Sequence, residues 1–405
     1  MEGYGLLGQR LSHSFSPRIH GLLGKYPYRL IELEEAELAR FMRENRLDGF
    51  NVTIPYKQAV IPFLDGLSDA AKAIGSVNTV IRQKDGCLFG DNTDAWGFEK
   101  LLGHTPDFAG QKALILGSGG SSKTVRAVLE GRGMHTVVIS RSGENHYGNL
   151  EKHRDAALIV NTTPVGMYPD NGSAPLSLVC FPDCRLVIDL IYNPRRTALM
   201  MEAEALGIEA RGGLLMLAAQ AQRAAELWGV IPKGEDRSGV IERTLGKAML
   251  NIALIGMPGC GKSEVARALG KLTGRMVFDT DEMIEKKSGL PVPQLIAEKG
   301  IEAFRQLESE ALAEAGRASG AVIATGGGVV CEGRNLPLLR QNSAIIWLER
   351  ALCDLPVSGR PLSQGRGVEA LYHERKPLYE AWSERSFYND GVQDTARRIM
   401  EELLQ

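Results

Sequence analysis

A glycine-rich loop that begins more than halfway along the chain constrains the fold more than any other stretch. Residues 256–263 read GMPGCGKS and fit the phosphate-binding pattern G-x-x-x-x-G-K-S/T. The apolar run 251–255 predicts a buried strand before the loop, and residues 264–272 predict an amphipathic helix after it. Because strand, loop and helix stand in this order, a chance glycine turn is the weaker interpretation. We expect a parallel sheet that binds a nucleotide.

The residue types of the loop indicate its chemistry. Backbone N–H groups at a helix start can hold phosphates, the Lys262 ammonium can reach the β- and γ-phosphates, and the Ser263 hydroxyl can ligate Mg²⁺. Cys260 adjoins the helix start, which predicts a thiol of lowered pKa; a buried, inert thiol is the alternative. The expected nucleotide contacts are Gly256, Gly259, Cys260, Gly261, Lys262 and Ser263.

Length and composition limit the classes of function. A chain of 405 residues exceeds one ordinary core, so we expect about two or three domains. The contents of 44% hydrophobic and 24% charged residues are typical of a globular protein, and the net charge of -2 favours neither nucleic acid nor an anionic membrane as partner. No apolar run reaches about 18 residues, and the chain start lacks a basic signal-peptide region. We expect a cytoplasmic protein that acts on small ligands, with free cysteines; its oligomeric state stays open.

Polar side chains gather at predicted strand ends and at a helix entrance in the first hundred residues. Their hydroxyl and amide groups can exchange hydrogen bonds with the hydroxyls of a small polyhydroxylated acid. Two of them are serines at a helix entrance, where helix capping is the alternative interpretation. The residues are Ser14, Ser16, Asn51, Thr53 and Asn78.

Lys57 and Asp94 add a cation and an anion to this polar set. A lysine beside apolar surface can have a lowered pKa, which would suit it to proton transfer near neutral pH. We interpret the two residues as a proton-transferring pair. A surface ion pair without a chemical role is the alternative.

Residues 112–131 predict a dinucleotide site, with an apolar strand over 112–116, a glycine turn and a helix over 123–131. Ser122 stands where the pattern G-x-G-x-x-G has its third glycine. The next strand ends at Arg141, where an NAD site usually has an acidic residue, so we expect NADP, whose 2′-phosphate a cation would bind. The alternative is that Arg141 is only a solvated surface residue. The predicted contacts are Gly117, Gly119, Gly120, Ser140, Arg141 and Ser142.

Two further parallel strands are predicted over 158–167 and 186–192, and a helix after residue 213 carries Gln220 toward the same cleft. The polar stretch 232–239 suits an exit from a domain. We therefore predict a substrate-binding domain over 1–100, completed by helices at about 212–245. A Rossmann domain over 101–211 and a phosphate-loop domain over 250–405 follow.

The last domain carries charged groups beside the phosphate loop. A strand over 276–281 places Asp279 and Asp281 two residues apart, so that both could face the phosphates, one through Mg²⁺ and one toward an acceptor hydroxyl. Arg305 stands one helical turn before Glu308, which alone could be a surface pair.

Glycines and arginines complete this part of the chain. Residues 326–328 are three consecutive glycines, whose lack of side chains lets the backbone approach a ligand closely. Arg360 lies in a Ser/Gly-rich loop, and Arg375 is expected to follow a helix. An arginine loop beside a phosphate loop predicts a lid that stabilises charge on a transferring phosphoryl group.

These motifs carry two resemblances. Residues 1 to about 245 resemble the shikimate dehydrogenase family through SFSP at 14–17, NVTIPYK at 51–57, VNT at 77–79, GDNTD at 90–94 and GSGG at 117–120. From about 250 onward, the chain resembles the shikimate kinase family through the phosphate loop, DTD at 279–281, FR at 304–305, GGG at 326–328 and RPL at 360–362. The two families catalyse consecutive steps of one pathway.

The resemblance implies an α/β chain: a shikimate dehydrogenase-like substrate domain and a Rossmann NADP domain, followed by a P-loop domain like the nucleoside monophosphate kinases. Lys57 and Asp94 would reduce 3-dehydroshikimate with hydride from NADPH, and Gly213 would join the cofactor contacts. The implied substrate contacts of this half are Ser14, Ser16, Asn51, Thr53, Asn78, Tyr192 and Gln220.

In the kinase half, the resemblance implies that ATP and Mg²⁺ are used to phosphorylate shikimate. Asp281 would activate the 3-hydroxyl, and Asp279 would act through Mg²⁺. Lys262 and the lid residue Arg360 would stabilise the transferred phosphoryl group. The implied shikimate contacts are Arg305, Gly327, Gly328 and Arg375.

We predict a bifunctional enzyme that converts 3-dehydroshikimate to shikimate 3-phosphate. Two departures from the kinase family stand out: the lid segment 350–359 is short, and Glu264 follows Ser263 where the family usually has threonine. One alternative is a quinate-type dehydrogenase that uses NAD. The other is a degenerate kinase-like half that binds shikimate or nucleotide and regulates the front half.

Overall fold

The computed structural model of the protein describes residues 3–11, 14–103, 108–356 and 367–404. The chain forms two compact units. The N-terminal unit comprises the described residues of Met1–Val165, Ala174–Tyr192 and Glu202–Leu245. The C-terminal unit comprises those of Gly166–Ser173, Asn193–Met201 and Gly246–Gln405. No helix within the described ranges has both the length and the apolarity that a membrane crossing requires.

The N-terminal unit begins with a mixed, six-stranded sheet. Its strands are β1 (Tyr4–Gly8), β2 (Tyr28–Glu32), β3 (Gly49–Val52), β4 (Gly66–Leu67), β5 (Thr79–Arg82) and β6 (Leu88–Asp91). They lie in the order β2-β1-β3-β5-β6-β4; β1 is parallel to β2 and β3, whereas β5 is antiparallel to β3 and β6. The helices of this part are α1 (Ser16–Leu23), α2 (Glu35–Glu44), α3 (Asp69–Ile74) and α4 (Thr93–Leu102).

Local sequence explains where two of these helices begin. The Ser68 side chain accepts a hydrogen bond from the Ala71 N–H at the start of α3, and the Asn92 side chain accepts one from the Ala95 N–H at the start of α4. These caps satisfy N–H groups that a first helical turn leaves without partners. The cap of α4 therefore determines that Asp94 lies in the first turn of that helix.

A second, fully parallel sheet of five strands follows. Its strands are β7 (Lys112–Leu116), β8 (His135–Ile139), β9 (Leu158–Asn161), β10 (Leu186–Asp189) and β11 (Glu209–Gly212), in the order β11-β10-β9-β7-β8. The helices along this part of the chain are α5 (Gly120–Gly131), α6 (Ala198–Ala205), α7 (Leu214–Leu227) and α8 (Ser238–Met249). The strand order reverses between β7 and β9, which is where ligands bind in open α/β sheets.

Strands β9 and β10 end earlier than the apolar runs predicted. The Asn161 side chain donates to Asp189 Oδ1 at 3.1 Å, and each side chain also accepts a hydrogen bond from a backbone N–H two residues further on. Such turns compete with the continuation of a strand. Beyond β10, Ile191 is buried without belonging to the sheet, whereas Val165 and Met167, beyond β9, are exposed.

The C-terminal unit contains a third sheet, again parallel. Its strands are β12 (Asn251–Ile255), β13 (Val277–Asp279), β14 (Val322–Ala324), β15 (Ser343–Glu349) and β16 (Arg385–Tyr388), in the order β13-β14-β12-β15-β16. The helices are α9 (Lys262–Thr273), α10 (Thr280–Ser288), α11 (Val292–Gly316), α12 (Asn335–Arg340), α13 (Val368–Trp382) and α14 (Val392–Leu404). The central strand β12 is completely buried, as the four apolar residues after Asn251 predict.

Candidate active sites of the two units

Lys57 and Asp94 form an ion pair in the N-terminal unit, with 2.5 Å between Lys57 Nζ and Asp94 Oδ2. Lys57 lies in the turn that follows β3, and Asp94 lies in the first turn of α4, where the helix dipole favours an anion. Only 18% and 12% of the two side chains are exposed. The alternative of an exposed surface pair is therefore wrong.

Three of the predicted substrate residues belong to one hydrogen-bonded network. Asn51 Nδ2 donates to Thr79 Oγ1 at 3.1 Å, and Asn78 Nδ2 donates to Thr93 Oγ1 at 3.0 Å and to Gln220 Oε1 at 3.4 Å. Thr93 immediately precedes Asp94, so the network adjoins the ion pair. It supplies amide and hydroxyl groups of the kind that a polyhydroxylated ligand requires.

The other predicted substrate residues lie around the helix entrance and the ends of strands. Ser14 Oγ donates to Ser16 Oγ and accepts the N–H of Ser16, the first residue of α1, both at 3.2 Å, so Ser14 also satisfies a backbone donor at the helix start, as the capping alternative expects. Tyr192 follows β10 and packs edge-on against Phe15, with 5.8 Å between ring centroids. Burial raises the pKa of Tyr192. Thr53 follows the end of β3, where its N–H donates to the Leu7 carbonyl at 2.9 Å.

The predicted dinucleotide turn lies at the carboxyl end of β7. Gly117 has a φ of 104°, and a Cβ there would lie 2.9 Å from Thr162 Oγ1, beyond the end of β9. Helix α5 begins at Gly120, three residues before its predicted start, and Gly119 is its N-cap. A Cβ on Gly119 would meet nothing within 4 Å. The start of α5 is thus open to a phosphate group, which the dipole and free N–H groups of a helix N-terminus favour.

Gly213 is glycine for a packing reason. A Cβ there would lie 2.1 Å from the Leu190 carbonyl oxygen, and the Gly213 N–H donates to the Ile191 carbonyl at 3.1 Å. This close approach joins β10 to the start of α7. The cofactor contact of Gly213 stays a prediction.

The segment after β8 presents a cation without a carboxylate partner. Arg141 and Ser142 are exposed, while the Ser140 hydroxyl donates to the Ser142 carbonyl. Within the described ranges, Arg141 has no ion-pair partner. Burial raises the pKa of nearby Tyr147, and the Arg141 charge opposes that rise. An exposed, unpaired guanidinium fits the 2′-phosphate of NADP.

In the C-terminal unit, the phosphate loop depends on glycines with positive φ: 143° at Gly256, 84° at Gly259 and 97° at Gly261. Only glycine adopts such angles readily. Lys262 Nζ is buried and donates to the carbonyl oxygens of Gly256 and Met257, at 2.9 and 3.0 Å. The half-buried Ser263 follows in the first turn of α9.

The expectation of a lowered pKa at Cys260 is wrong. Its side chain is 0% exposed, and burial raises the pKa of the thiol more than the Lys262 charge lowers it. Desolvation of a thiolate outweighs the helix start here. The neighbouring backbone is held from another side, because Asn389 Nδ2 donates to the Cys260 carbonyl at 2.7 Å.

The sequence predicted that one strand carries both carboxylates after Phe278. The structure corrects this prediction. Strand β13 ends at Asp279, whose Oδ1 accepts the N–H groups of Asp281 and Glu282 at 3.1 and 3.4 Å, so that Asp279 caps α10. Asp281 lies in the first turn of this helix. Burial, aided by the charges of Asp279 and Glu308 and opposed by that of Lys262, raises the pKa of Asp281 to about 6.

Arg305 and Glu308 form a buried pair, not a surface pair. Arg305 Nη1 lies 2.5 Å from Glu308 Oε2, and the side chains are 9% and 0% exposed. Burial raises the pKa of Glu308, and the Arg305 charge opposes that rise.

The three glycines after β14 allow other side chains of the unit to approach. A Cβ on Gly326 would lie 2.5 Å from Glu308 Oε1 and 3.0 Å from Asp281 Oδ1. A Cβ on Gly327 would lie 2.5 Å from Pro258 of the phosphate loop, and one on Gly328 would lie 2.2 Å from Arg305 Nη2. The glycine run therefore brings the carboxylates, the phosphate loop and the arginine together.

Arg375 lies inside α13, which corrects the prediction that it follows a helix. The helix continues through Pro377, although proline removes a backbone donor. Arg375 Nη1 donates to the Gly327 carbonyl at 3.0 Å, and the Tyr379 hydroxyl donates to the same oxygen. The predicted lid residue Arg360 lies outside the described residues.

Among the residues of this site that the structure describes, three polar atoms are buried without a hydrogen-bond partner: Asp281 Oδ1, Glu308 Oε1 and Arg375 Nε. Two are acceptors and one is a donor. Buried polar atoms nearly always have partners, so these three are candidates for contact with a substrate. A molecule with hydroxyl groups and a carboxylate would satisfy both kinds.

Comparison with known proteins connects each unit to an enzyme family. Residues 6–80 match the shikimate dehydrogenase substrate binding domain, and residues 258–405 match shikimate kinase. Shikimate dehydrogenase (NADP(+)) of Clostridium beijerinckii is 36% identical over 249 residues, which cover 56% of this chain and 92% of that protein. This chain belongs to the shikimate dehydrogenase family. Its C-terminal part is a shikimate kinase domain.

Solved structures of shikimate dehydrogenases agree. Shikimate dehydrogenase 1 of Peptoclostridium difficile has a TM-score of 0.55 and 32% identity, covering 60% of this chain and 97% of that one. Shikimate 5-dehydrogenase of Thermus thermophilus, in complex with NADP(H) and shikimate, has a TM-score of 0.53 and 34% identity, covering 59% and 97%. The predicted α/β fold and the fusion of the two families are confirmed.

Sequence reasoning missed several residues of the shikimate dehydrogenase and kinase sites. Thr79 and Thr93 belong to the motifs VNT and GDNTD. Only the pairing of β3 with β5 and the position of the start of α4 allow them to accept hydrogen bonds from Asn51 and Asn78. Tyr379 contacts Gly327, which lies 52 residues away in the chain. No local pattern predicts that contact.

Proposed function

We propose that this chain catalyses two consecutive reactions, the reduction of 3-dehydroshikimate to shikimate and the phosphorylation of shikimate to shikimate 3-phosphate. The observation that carries the proposal is the position of the Lys57–Asp94 ion pair, directly beside the Asn78–Thr93–Gln220 network. A proton donor and a set of hydroxyl-binding groups are what the reduction of a polyhydroxylated keto acid requires.

In the reduction, bound NADPH supplies the hydride. Lys57 donates a proton to the oxygen of the ketone as it becomes an alcohol, and Asp94 orients the Lys57 side chain. The amide groups of the network orient the ring hydroxyls, and the remaining predicted contacts bind the other polar groups of the substrate. These remaining contacts are Ser14, Ser16, Thr53 and Tyr192.

The cofactor assignment rests on two features of the NADP region. The open start of α5 at Gly119 accommodates the diphosphate, and the unpaired Arg141 binds the 2′-phosphate. A quinate-type enzyme that uses NAD is the second candidate. Initial rates with NADPH and NADH decide between them, because a 2′-phosphate contact favours NADPH in kcat/KM.

In the phosphorylation, bound ATP with Mg²⁺ supplies the phosphoryl group. Asp281, with a pKa of about 6, is deprotonated at neutral pH and accepts the proton of the substrate hydroxyl. Arg305 and Arg375 bind the carboxylate of shikimate, next to Gly327 and Gly328. Lys262 binds phosphate oxygens, and Asp279 and Ser263 hold the cation. We infer a cytoplasmic location, where both NADPH and ATP are available.

A single assay tests both reactions. The purified chain is incubated with 3-dehydroshikimate, NADPH, Mg²⁺ and ATP, and NADPH oxidation and ADP release are followed together. We expect ADP to appear only after shikimate has formed. ADP that stays absent even when shikimate is supplied would make the C-terminal unit a binding or regulatory module, and unchanged NADPH would refute the reductase.

A further inference from the structure

Tyr28, the first residue of β2, has no role in either proposed reaction so far, yet it contacts a proposed substrate residue. Its hydroxyl donates to Asn51 Oδ1 at 2.8 Å. Asn51 is buried, and its Nδ2 donates to Thr79 Oγ1 at 3.1 Å and to the Asn78 carbonyl at 3.3 Å. Tyr28 thus donates to the one acceptor atom of the Asn51 side chain, which can accept two hydrogen bonds, and His20 also interacts with this side chain.

The contacts of Asn51 permit one orientation of its amide. The Asn78 carbonyl can only accept a hydrogen bond, so Nδ2 must face it, and Oδ1 must face Tyr28. Burial raises the pKa of Tyr28 well above its ordinary value, so its hydroxyl stays protonated and able to donate. Both N–H groups of Asn51 Nδ2 are then engaged in hydrogen bonds. Asn51 can therefore contact a ligand only through Oδ1, as an acceptor.

An aromatic stack holds the Tyr28 ring in place. The His20 ring stacks on it at 3.9 Å between centroids, and Trp228 lies 5.5 Å from His20 and 6.4 Å from Tyr28, so the three rings pack against one another. Burial lowers the pKa of His20 to about 3, so that its ring is neutral. Trp228 is the C-cap of α7, the helix that carries Gln220, and its Nε1 donates to the Val80 carbonyl at 3.0 Å. The hydroxyl of Tyr28 therefore has a well-defined position.

We propose that Tyr28 is a positioning residue of the dehydrogenase site. Its hydroxyl holds Oδ1 of Asn51 in the orientation in which the remaining lone pair accepts a hydrogen bond from a hydroxyl group of the substrate. Tyr28 acts through Asn51 and does not take part in proton transfer. This inference rests on the proposed reduction of 3-dehydroshikimate.

The test compares Tyr28→Phe with Tyr26→Phe. Both remove one phenol hydroxyl from the same aromatic cluster, but the Tyr26 hydroxyl contacts His20 Nδ1, at 2.7 Å, and not Asn51. We expect Tyr28→Phe to raise KM for 3-dehydroshikimate about ten-fold, because a buried acceptor loses its donor, with kcat and KM for NADPH changed less than about three-fold. Tyr26→Phe should leave KM for 3-dehydroshikimate within about two-fold of the wild type.

A double-mutant cycle identifies the path of the effect. In an Asn51→Ala background, Tyr28→Phe should add no further change in KM, since the group that it positions is gone. An unchanged KM in Tyr28→Phe, an equal rise in both tyrosine variants, or a full additional effect in the Asn51→Ala background would each overturn the inference. Wild-type protein that reduces no 3-dehydroshikimate would instead refute the proposed function.

Discussion

Replacing Asp281 with asparagine should make the kinase unit more stable at neutral pH while it removes the proposed base. The pKa of Asp281 is raised from an ordinary 3.8 to about 6, chiefly by burial. Its Oδ1 has no hydrogen-bond partner, and Glu308 and Asp279 add negative charge nearby. The ionised carboxylate is therefore disfavoured in the folded chain, and a neutral amide of nearly the same shape avoids this cost.

The magnitude follows from the difference between the two pKa values. At roughly 1.4 kcal/mol per pH unit, the ionised group costs about 3 kcal/mol at pH 7.5 and about half of that at pH 5. Because the folded-state pKa is the higher one, this cost is complete above pH 6 and disappears as the pH falls from 6 toward 3.8. For a unit of this size, about 3 kcal/mol corresponds to a rise in Tm of roughly 5–10 °C.

Thermal unfolding of the full chain, followed at the kinase transition at pH 7.5 and pH 5, measures the effect. Asp394→Asn is a matched control, since Asp394 lies on the surface with 74% of its side chain exposed in its pair with Arg397. We expect Asp281→Asn to raise Tm at pH 7.5, to raise it about half as much at pH 5, and to lose phosphorylation. A lower Tm at pH 7.5, or a gain that is the same at both pH values, would refute the reasoning.

Four further predictions concern other residues of the two sites. Lys57→Ala should lower kcat for reduction by at least about 100-fold with little change in NADPH binding; a loss of NADPH binding at unchanged kcat would contradict the proton-donor role. Lys262→Ala should lower the rate of phosphorylation by at least about 100-fold and leave the reduction unchanged in the coupled assay. An unchanged release of ADP would contradict the proposed role of Lys262 in binding phosphate oxygens. Gly328→Ala should raise KM for shikimate more than about ten-fold because its Cβ would lie 2.2 Å from Arg305 Nη2, whereas the control Gly333→Ala, with nothing within 4 Å, should leave KM unchanged. Cys260, which is 0% exposed, should be alkylated in the native chain far more slowly than the exposed Cys353, as peptide mass spectrometry can measure, and equal rates would show that the phosphate loop opens.

Sequence alone predicted the elements whose signals are local. Strands β7 and β12 have the predicted bounds, because a polar residue followed by four apolar residues and a glycine specifies a buried parallel strand. Helix α5 begins earlier than predicted. Gly119, with a φ of -79°, is its N-cap, so the residues that directly follow Gly119 are already helical. Arg375 was expected to follow a helix and lies inside one, because a single proline, Pro377, reduces helix stability without preventing a helix that packing supports.

Burial was the main property that sequence reasoning could not judge. The Arg305–Glu308 spacing is equally typical of an exposed pair, and only packing against the glycines after β14 excludes water from it. The thiol of Cys260 illustrates the same point, since its helix-start position predicted a lowered pKa and its burial raises it. In both cases the deciding groups come from distant parts of the chain.

The sequence by itself determined the order of the elements, the two glycine loops and the chemical types of the site residues, because turns, helix starts and apolar runs depend on neighbours in the chain. The tertiary structure alone decided which of these residues meet: Lys57 with Asp94, Asn78 with Gln220, and the glycine run with Arg305 and Asp281. It also decided which charges are buried, and hence the raised pKa of Asp281. Desolvation and hydrogen bonding act between residues far apart in sequence, so no local pattern contains them.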